Sequence, residues 1–415
     1  MLTNFINSYK VFAGKRYKYF FLLYALFFLA SGPLEKAVPL VIAYHGLSEA
    51  TYGIFLSIVS FTFIFAPTII AYLSIKKFGA YALGTLGSLI GFLGAIMLRL
   101  DLLPAWLVFV FCYMILLSRV IFNYSIGNKI NTVIESGNRS KYFALRDFFL
   151  FGAISVGLLA GGFLTTRFSI LKLYFIFSSL FVLTCLVIFI MRTKSILSDQ
   201  ITENNNATHS DKTMSDDVKK NGSDELTLSA VLKKRVFWAF VLINVFTSIY
   251  NISVRFLPLL GLQLGFDVSR LLTLVGFTTI VNAILGLVLG YFFDMRSRKL
   301  IYLIDIFIDL IPALTFAFTG STVFFVIAYL ITGLKDVFAP ISFSYFFDCF
   351  PESNAQFVLG LLSSIDGINA TLVPILVGFL WLQSHRLVFI VGAAGIVCAF
   401  LVALLVLPNV KMETA

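Results

Sequence analysis

Twelve long apolar runs, separated by short polar breaks, occupy most of the chain, at roughly 18–44, 51–73, 79–99, 104–126, 142–166, 169–191, 234–262, 268–293, 299–319, 321–347, 355–381 and 386–408. A helix needs ~20 residues to cross the hydrocarbon core of a bilayer, and each run approaches or exceeds that length. Most of the breaks are tight, so sequential helices are expected to be antiparallel neighbours. The segment 193–231 differs: it holds Asn204, Asn205 and Asn206 and a charged stretch from His209 to Glu225. It is too polar to bury a core and reads as a flexible linker, ending in a short amphipathic helix from Leu226 to Arg235. The expected organisation is a six-helix bundle at 1–192, a linker at 193–231 and a second six-helix bundle at 232–415.

Composition agrees with this pattern and narrows it. Of the 415 residues, 59% are hydrophobic and only 13% charged, about half the charged fraction of a soluble domain. The 47 phenylalanines suit lipid-facing helix surfaces. The net charge of +10 does not point to nucleic acid, because the basic residues lie in short clusters between apolar runs. Lys76, Lys77, Lys129, Arg139, Lys141 and Arg296 fall at one set of helix ends, whereas the opposite set carries few cations. Lysine and arginine collect in cytoplasmic loops, so both termini are expected in the cytoplasm, in a cytoplasmic (inner) membrane. The first run passes Gly32-Pro33 without a small-residue cleavage site and is expected to be a retained helix. Cys112, Cys185, Cys349 and Cys398 have neither metal-ligand nor disulfide-framework spacing.

The two halves repeat. Lys36-Ala37-Val38-Pro39, followed by Gly46, matches Arg255-Phe256-Leu257-Pro258, followed by Gly265, at a constant offset of 219. At an offset of 216, Gly162-Phe163-Leu164 matches Gly378-Phe379-Leu380, and Arg119 falls on Lys335. Internal symmetry of this kind typifies secondary transporters, with the substrate site near the midplane between repeats.

Over its whole length the chain resembles the major facilitator superfamily. The local motif is Gly290-Tyr291-Phe292-Phe293-Asp294-Met295-Arg296-Ser297-Arg298-Lys299, similar to the family's loop signature G-x-x-x-D-x-x-G-R-K, with Ser297 in place of the later glycine. The resemblance implies a conformational latch at Gly290, Asp294 and Arg298. The first-half copy, Leu73 to Gly79, keeps the basic residues and the glycine but has no aspartate. Gly157-Leu158-Leu159-Ala160-Gly161-Gly162 is similar to the family's G-P-x-x-G-G antiporter motif without its proline, and close helix packing through small residues is the favoured reading of it. The fold implied is all-α, two six-helix bundles related by a pseudo-two-fold axis, with helices 1, 4, 7 and 10 lining a central cavity.

Those four helices carry Lys36, Arg119, Arg255 and Lys335. A charge at bilayer depth costs ~3 kcal/mol or more on insertion scales and marks an aqueous cavity or a partner. Counting ~1.5 Å per residue, Lys36 and Arg255 fall ~27–32 Å from the cytoplasmic starts of their helices. Arg119 and Lys335 fall ~21–23 Å from their outer starts. Four cations along one path suit an anionic substrate, since guanidinium and ammonium groups clamp carboxylates and phosphates. Salt bridges that serve as gates, Glu35 with Arg255 across the halves for example, are the competing reading. Glu35, Asp336 and Asp366 are the acidic candidates for proton coupling or gating, with Asp366 ~16 Å into helix 11. Asp305 and Asp309 share a face of helix 9, where packing is expected. The depth estimate separates Glu35 from Arg119 by more than ~10 Å and argues against a direct relay between them.

No HExxH, GxSxG, P-loop or dinucleotide fingerprint is present, so an enzyme is not expected, nor is a cofactor or metal. The expected function is a monomeric secondary active transporter working by alternating access, coupled to protons, for a small organic anion. A phosphate ester or a polycarboxylate fits, including a carboxylate siderophore. A proton-antiport exporter of amphipathic drug-like compounds is the first alternative and a non-transporting membrane sensor the second.

Overall fold

A computed structural model describes residues 15–76, 78–100, 103–131, 139–206, 232–292, 298–338, 342, 345, 346, 348–350 and 352–409. The described residues form twelve helical segments, six in each half. In the first half these are α1 (Lys15–Tyr44), α2 (Glu49–Lys76), α3 (Ala80–Met97), α4 (Ala105–Asn131), α5 (Arg139–Thr165) and α6 (Ile170–Asn206). In the second half, α7 runs Arg235–Ser253, tightens into a 3-10 turn at Val254–Phe256 and resumes at Leu257–Gln263. There follow α8 (Val268–Phe292), α9 in two pieces (Arg298–Ile308 and Leu310–Phe318), α10 (Thr322–Leu334), α11 (Glu352–Gln383) and α12 (His385–Val406). Eleven spans are long and apolar enough to cross a bilayer, and Thr322–Leu334 is a shorter apolar helix. The predicted spans agree with these to within a few residues at most ends. Two differ: α6 stays helical to Asn206, so the first part of the expected linker is helix, and α10 ends at Leu334 in a 3-10 turn at Lys335–Val337, short of the expected 347. Residues 207–231 lie outside the described residues, and with them most of the expected amphipathic helix.

The matched glycines explain how corresponding helices stop. Gly46 closes α1 with φ 68° and Gly265 closes α7 with φ 85°, a left-handed conformation that costs an L side chain energy and glycine nothing. In both, the next amide folds back on the helix: Leu47 donates to Ile42 at 3.2 Å and Phe266 to Gly261 at 3.0 Å. This is the 6→1 bond of a Schellman cap. The sequence repeat is therefore a structural repeat.

The second glycine pair positions the halves against each other. α5 packs on α8, and α11 packs on α2. A Cβ on Gly162 would stand 2.9 Å from the Ser269 carbonyl of α8, and one on Gly378 3.0 Å from the Glu49 carbonyl of α2. Only a residue without a side chain permits backbones so close. Hydrogen bonds follow the same seams: Ser269 to the Gly162 carbonyl at 2.6 Å, Ser155 to the Gly276 carbonyl at 2.7 Å, and Ser57 to the Thr371 carbonyl. These contacts draw the halves together near the far end of the bundle, the end that holds the α1–α2 connection. Helix packing is thus the role of the α5 glycines.

Phenylalanine serves two environments. Phe61, Phe163, Phe189 and Phe318 are more than half exposed on the bundle's outside, as lipid-facing residues should be. Phe27 and Phe122 are fully buried and stack at 3.8 Å between ring centroids, fixing α1 to α4.

Candidate functional site

A cavity of about 790 Å³ lies between the halves, within the usual range for small-molecule sites. Its wall includes Glu35, Lys36 and Pro39 of α1, Tyr52 and Ser60 of α2, Val254, Arg255 and Pro258 of α7, and Ser363, Ser364 and Asp366 of α11. It extends away from the far end to Thr68 of α2 and Tyr124 of α4.

Each wall charge is placed by a local feature of its helix. Pro258 has no N–H for the carbonyl four residues back, at Val254. The helix tightens there instead, and the Leu257 amide bonds that carbonyl in 3-10 fashion. Arg255 sits in the middle of this turn and is exposed to the cavity. Its carbonyl accepts from the Tyr52 hydroxyl of the opposite half at 3.4 Å. Among the described residues no carboxylate pairs with its guanidinium. Lys36, the matching residue of α1, also lines the cavity and is exposed.

Glu35 and Arg119 form an ion pair. The separation expected from sequence is overturned, and so is the expected gate between Glu35 and Arg255. The reason is geometric. Glu35 lies nine residues from the far end of α1 and Arg119 fourteen from the far end of α4, so their backbones differ in level by only ~8 Å. Two long side chains close that gap. Depths counted from opposite membrane faces do not share a scale, because α1, at 30 residues, is longer than the hydrocarbon core requires. Arg119 also packs its guanidinium 5.1 Å from the centre of the Phe28 ring, a cation–π contact that sets its direction. The pair is largely shielded, with side-chain exposures of 28% for Arg119 and 27% for Glu35.

Lys335 behaves unlike its repeat partner. At the end of α10 its ammonium donates to Asp309 of α9 at 2.5 Å and to Asn251 of α7 at 2.7 Å. It also lies 5.9 Å from the Tyr250 ring, and Tyr250 pairs with Thr332 at 3.1 Å. Asp309 is almost fully buried. Pro312, four residues past Ile308, interrupts the α9 ladder where Asp309 sits. Asp305, one turn earlier, accepts from Ser342 at 2.6 Å. The acids of helix 9 therefore bond the end of α10, through Asp309, and the segment after it, through Asp305, rather than only fill space.

Asp366 stands on the cavity wall and accepts from the side-chain amide of Asn244 at 3.0 and 3.1 Å. Asn244 and Asn251 were not among the expected site residues. The signal was present: two polar amides seven residues apart lie on one face of an apolar span. The side chains of Gly290, Asp294, Arg298 and Asp336, expected as latch and gate, lie outside the described residues.

Comparison with known proteins agrees with this architecture. A family model described as Major Facilitator Superfamily matches residues 20–334. No curated protein sequence matches significantly. Among solved structures, a variant of the nucleoside transporter NupG superposes with a TM-score of 0.69 at 14% identity, covering 94% of this chain and 98% of that one. A D-xylose-proton symporter gives 0.65 at 13% identity, covering 95% and 98%. A bacterial homologue of the human lysosomal transporter Spinster, inward-facing and unoccupied, gives 0.64 at 14% identity, again covering 95% and 98%. Likeness at this identity concerns the fold.

Proposed function

The chain belongs to the major facilitator superfamily, and we propose that it is a proton-coupled carrier of a small organic anion, working by alternating access. The observation that carries this reading is Arg255: a cavity-facing guanidinium with no carboxylate partner among the described residues, beside Lys36 on the facing helix. A guanidinium in a water-limited cavity gains most from a carboxylate or phosphate, which it can grip through two parallel hydrogen bonds.

The Glu35–Arg119 pair supplies the coupling element. Glu35 and Arg255 line the same cavity, so an anion arriving at Arg255 changes the charge balance around the pair. Protonation of Glu35 releases Arg119 towards the cavity, and its deprotonation draws the guanidinium back. A structural neighbour named as a proton symporter is in keeping with this coupling. Lysine and arginine clustering supports termini in the cytoplasm, in a cytoplasmic (inner) membrane. The end where the halves pack most closely then faces outside.

The test is uptake by purified protein in proteoliposomes. Labelled organic carboxylates and phosphate esters are offered with and without an imposed pH gradient. Accumulation that requires the gradient and collapses with a protonophore is expected. Flux of no anion under any gradient, from protein that is folded by its thermal transition, contradicts the proposal.

A further inference from the structure

The cavity is bipolar. Arg255 and Lys36 lie towards its far end, and Asp366 lies on its wall closer to the termini. The axial distance follows from α7. Asn244, which holds Asp366, and Arg255 are eleven residues apart on that helix, about 16 Å of rise. Allowing for the side chains, the two charged groups stand on the order of 10 Å apart.

The environment of Asp366 asks for more than Asn244. A carboxylate has about four acceptor sites, and one amide nitrogen contacts its two oxygens. Among the described residues no lysine or arginine pairs with it. An ionised acid away from bulk water is stable only with a cation or several donors. Ser363 and Ser364, three and two residues earlier on α11, add hydroxyls to the same wall. The acid is thus placed on the cavity surface, oriented by Asn244 and left with acceptor capacity towards the cavity.

We propose that the substrate is amphoteric: its anionic group docks at Arg255 and Lys36, and an amine or ammonium at its other end docks at Asp366. This rests on the anion reading above and narrows it. A purely anionic substrate long enough to span the cavity would bring its far end against Asp366, where like charges repel. A short anion would leave Asp366 unused. A compact cavity of about 790 Å³ accepts a molecule with charged ends that far apart while enclosing most of its surface.

The experiment is binding to the purified full-length protein, read by thermal shift and equilibrium dialysis. Three homologous series serve as probes: ω-amino carboxylates, n-alkyl monocarboxylates and α,ω-dicarboxylates of matched length. The ω-amino series is expected to bind about tenfold tighter than the alkyl series at its best length, and the dicarboxylates weakest at that length. Asp366→Asn should remove the advantage of the amine, bringing the ω-amino series to the affinity of the alkyl series, and should relieve the penalty on the dicarboxylates. Asp366→Glu, which keeps the charge and guards against a folding defect, should move the preferred length down by about one methylene. Arg255→Gln should weaken all three series together. Equal binding of the amino, alkyl and dicarboxylate series overturns the proposal, as does an amine preference that survives Asp366→Asn. If no carboxylate of any series binds the wild-type chain, the anion reading itself has failed and this inference falls with it.

Discussion

The two halves repeat in sequence and in fold, yet they treat their buried charges in opposite ways. In the first half, cation and acid face each other across the cavity helices: Glu35 of α1 pairs with Arg119 of α4. In the second half the equivalent pair does not exist. The offset that carries Lys36 onto Arg255 carries Glu35 onto Val254, so α7 has no acid to offer α10. Lys335, the counterpart of Arg119, takes its counter-ion from α9 instead, at Asp309. Arg255 is left facing the cavity. One substitution between repeats thus separates a closed ion pair from an available cation, and an asymmetric site arises within a symmetric fold.

The backbones differ as well. α1 carries Pro33 and Pro39 and is helical throughout Lys15–Tyr44. α7, with Pro258 at the position matching Pro39, turns 3-10 around Arg255, and α9 is interrupted at Asp309. A hydroxyl from the other half, Tyr52, is bonded to the Arg255 carbonyl in the tightened turn. The second half therefore presents its charges from irregular backbone, whereas the first presents them from regular helix.

Breaking the first-half pair should have the largest effect. Arg119→Ala leaves Glu35 without its cation in a shielded site, where removing one partner of a buried pair costs ~3–5 kcal/mol. A clear fall in the thermal transition and loss of gradient-driven uptake are expected. Combining Arg119→Gln with Glu35→Gln should restore the transition but not the response to a pH gradient, as read in proteoliposomes.

The same operation in the second half should separate stability from transport. Asp309→Asn removes the carboxylate that neutralises Lys335 and should lower the thermal transition, with Lys335→Gln in the same chain restoring most of it. Substrate KM should change less than twofold or so, because Lys335 is turned to α9 rather than to the substrate. A large rise in KM would return Lys335 to the binding site and erase the contrast between the halves.

Supplying the missing acid sharpens the contrast further. Val254→Glu places a carboxylate at the position matching Glu35, on the cavity wall that Val254 shares with Arg255. Anion affinity should fall by about tenfold, the equivalent of ~1.4 kcal/mol, with the chain still folded. The smallest effect is expected from Pro258→Ala. It returns an N–H to α7 and favours regular helix through Val254–Phe256; a modest gain in thermal stability and a modestly slower turnover are the outcomes to measure.

Much of this was legible in the sequence. Apolar run length gives the twelve spans, because in hydrocarbon every backbone group must be bonded within its own helix. The repeat offset matched Gly46 to Gly265, and the structure makes both of them helix caps. They also matched Gly162 to Gly378, and the structure puts both at the seams between the halves. Pairing was not legible. The meeting of Glu35 and Arg119 depends on a few residues of helix length and on side-chain reach, neither of which hydropathy records. Asp309 looked peripheral because helix number gives a helix's place in the bundle, not the direction in which its side chains point. The difference between Glu35 and Val254, by contrast, was on view at the known offset and needed only to be asked.

The central claim is that the positive charge at position 255 holds the substrate. It is tested directly by Arg255→Cys in a chain whose four native cysteines, at 112, 185, 349 and 398, are replaced by serine or alanine. The variant is treated with an aminoethyl methanethiosulfonate, which restores a positive charge, or with an uncharged methyl reagent. Anion uptake is expected to be lost in the variant, to return after the cationic reagent and to stay absent after the neutral one. Full uptake without treatment, or equal recovery with both reagents, would contradict it.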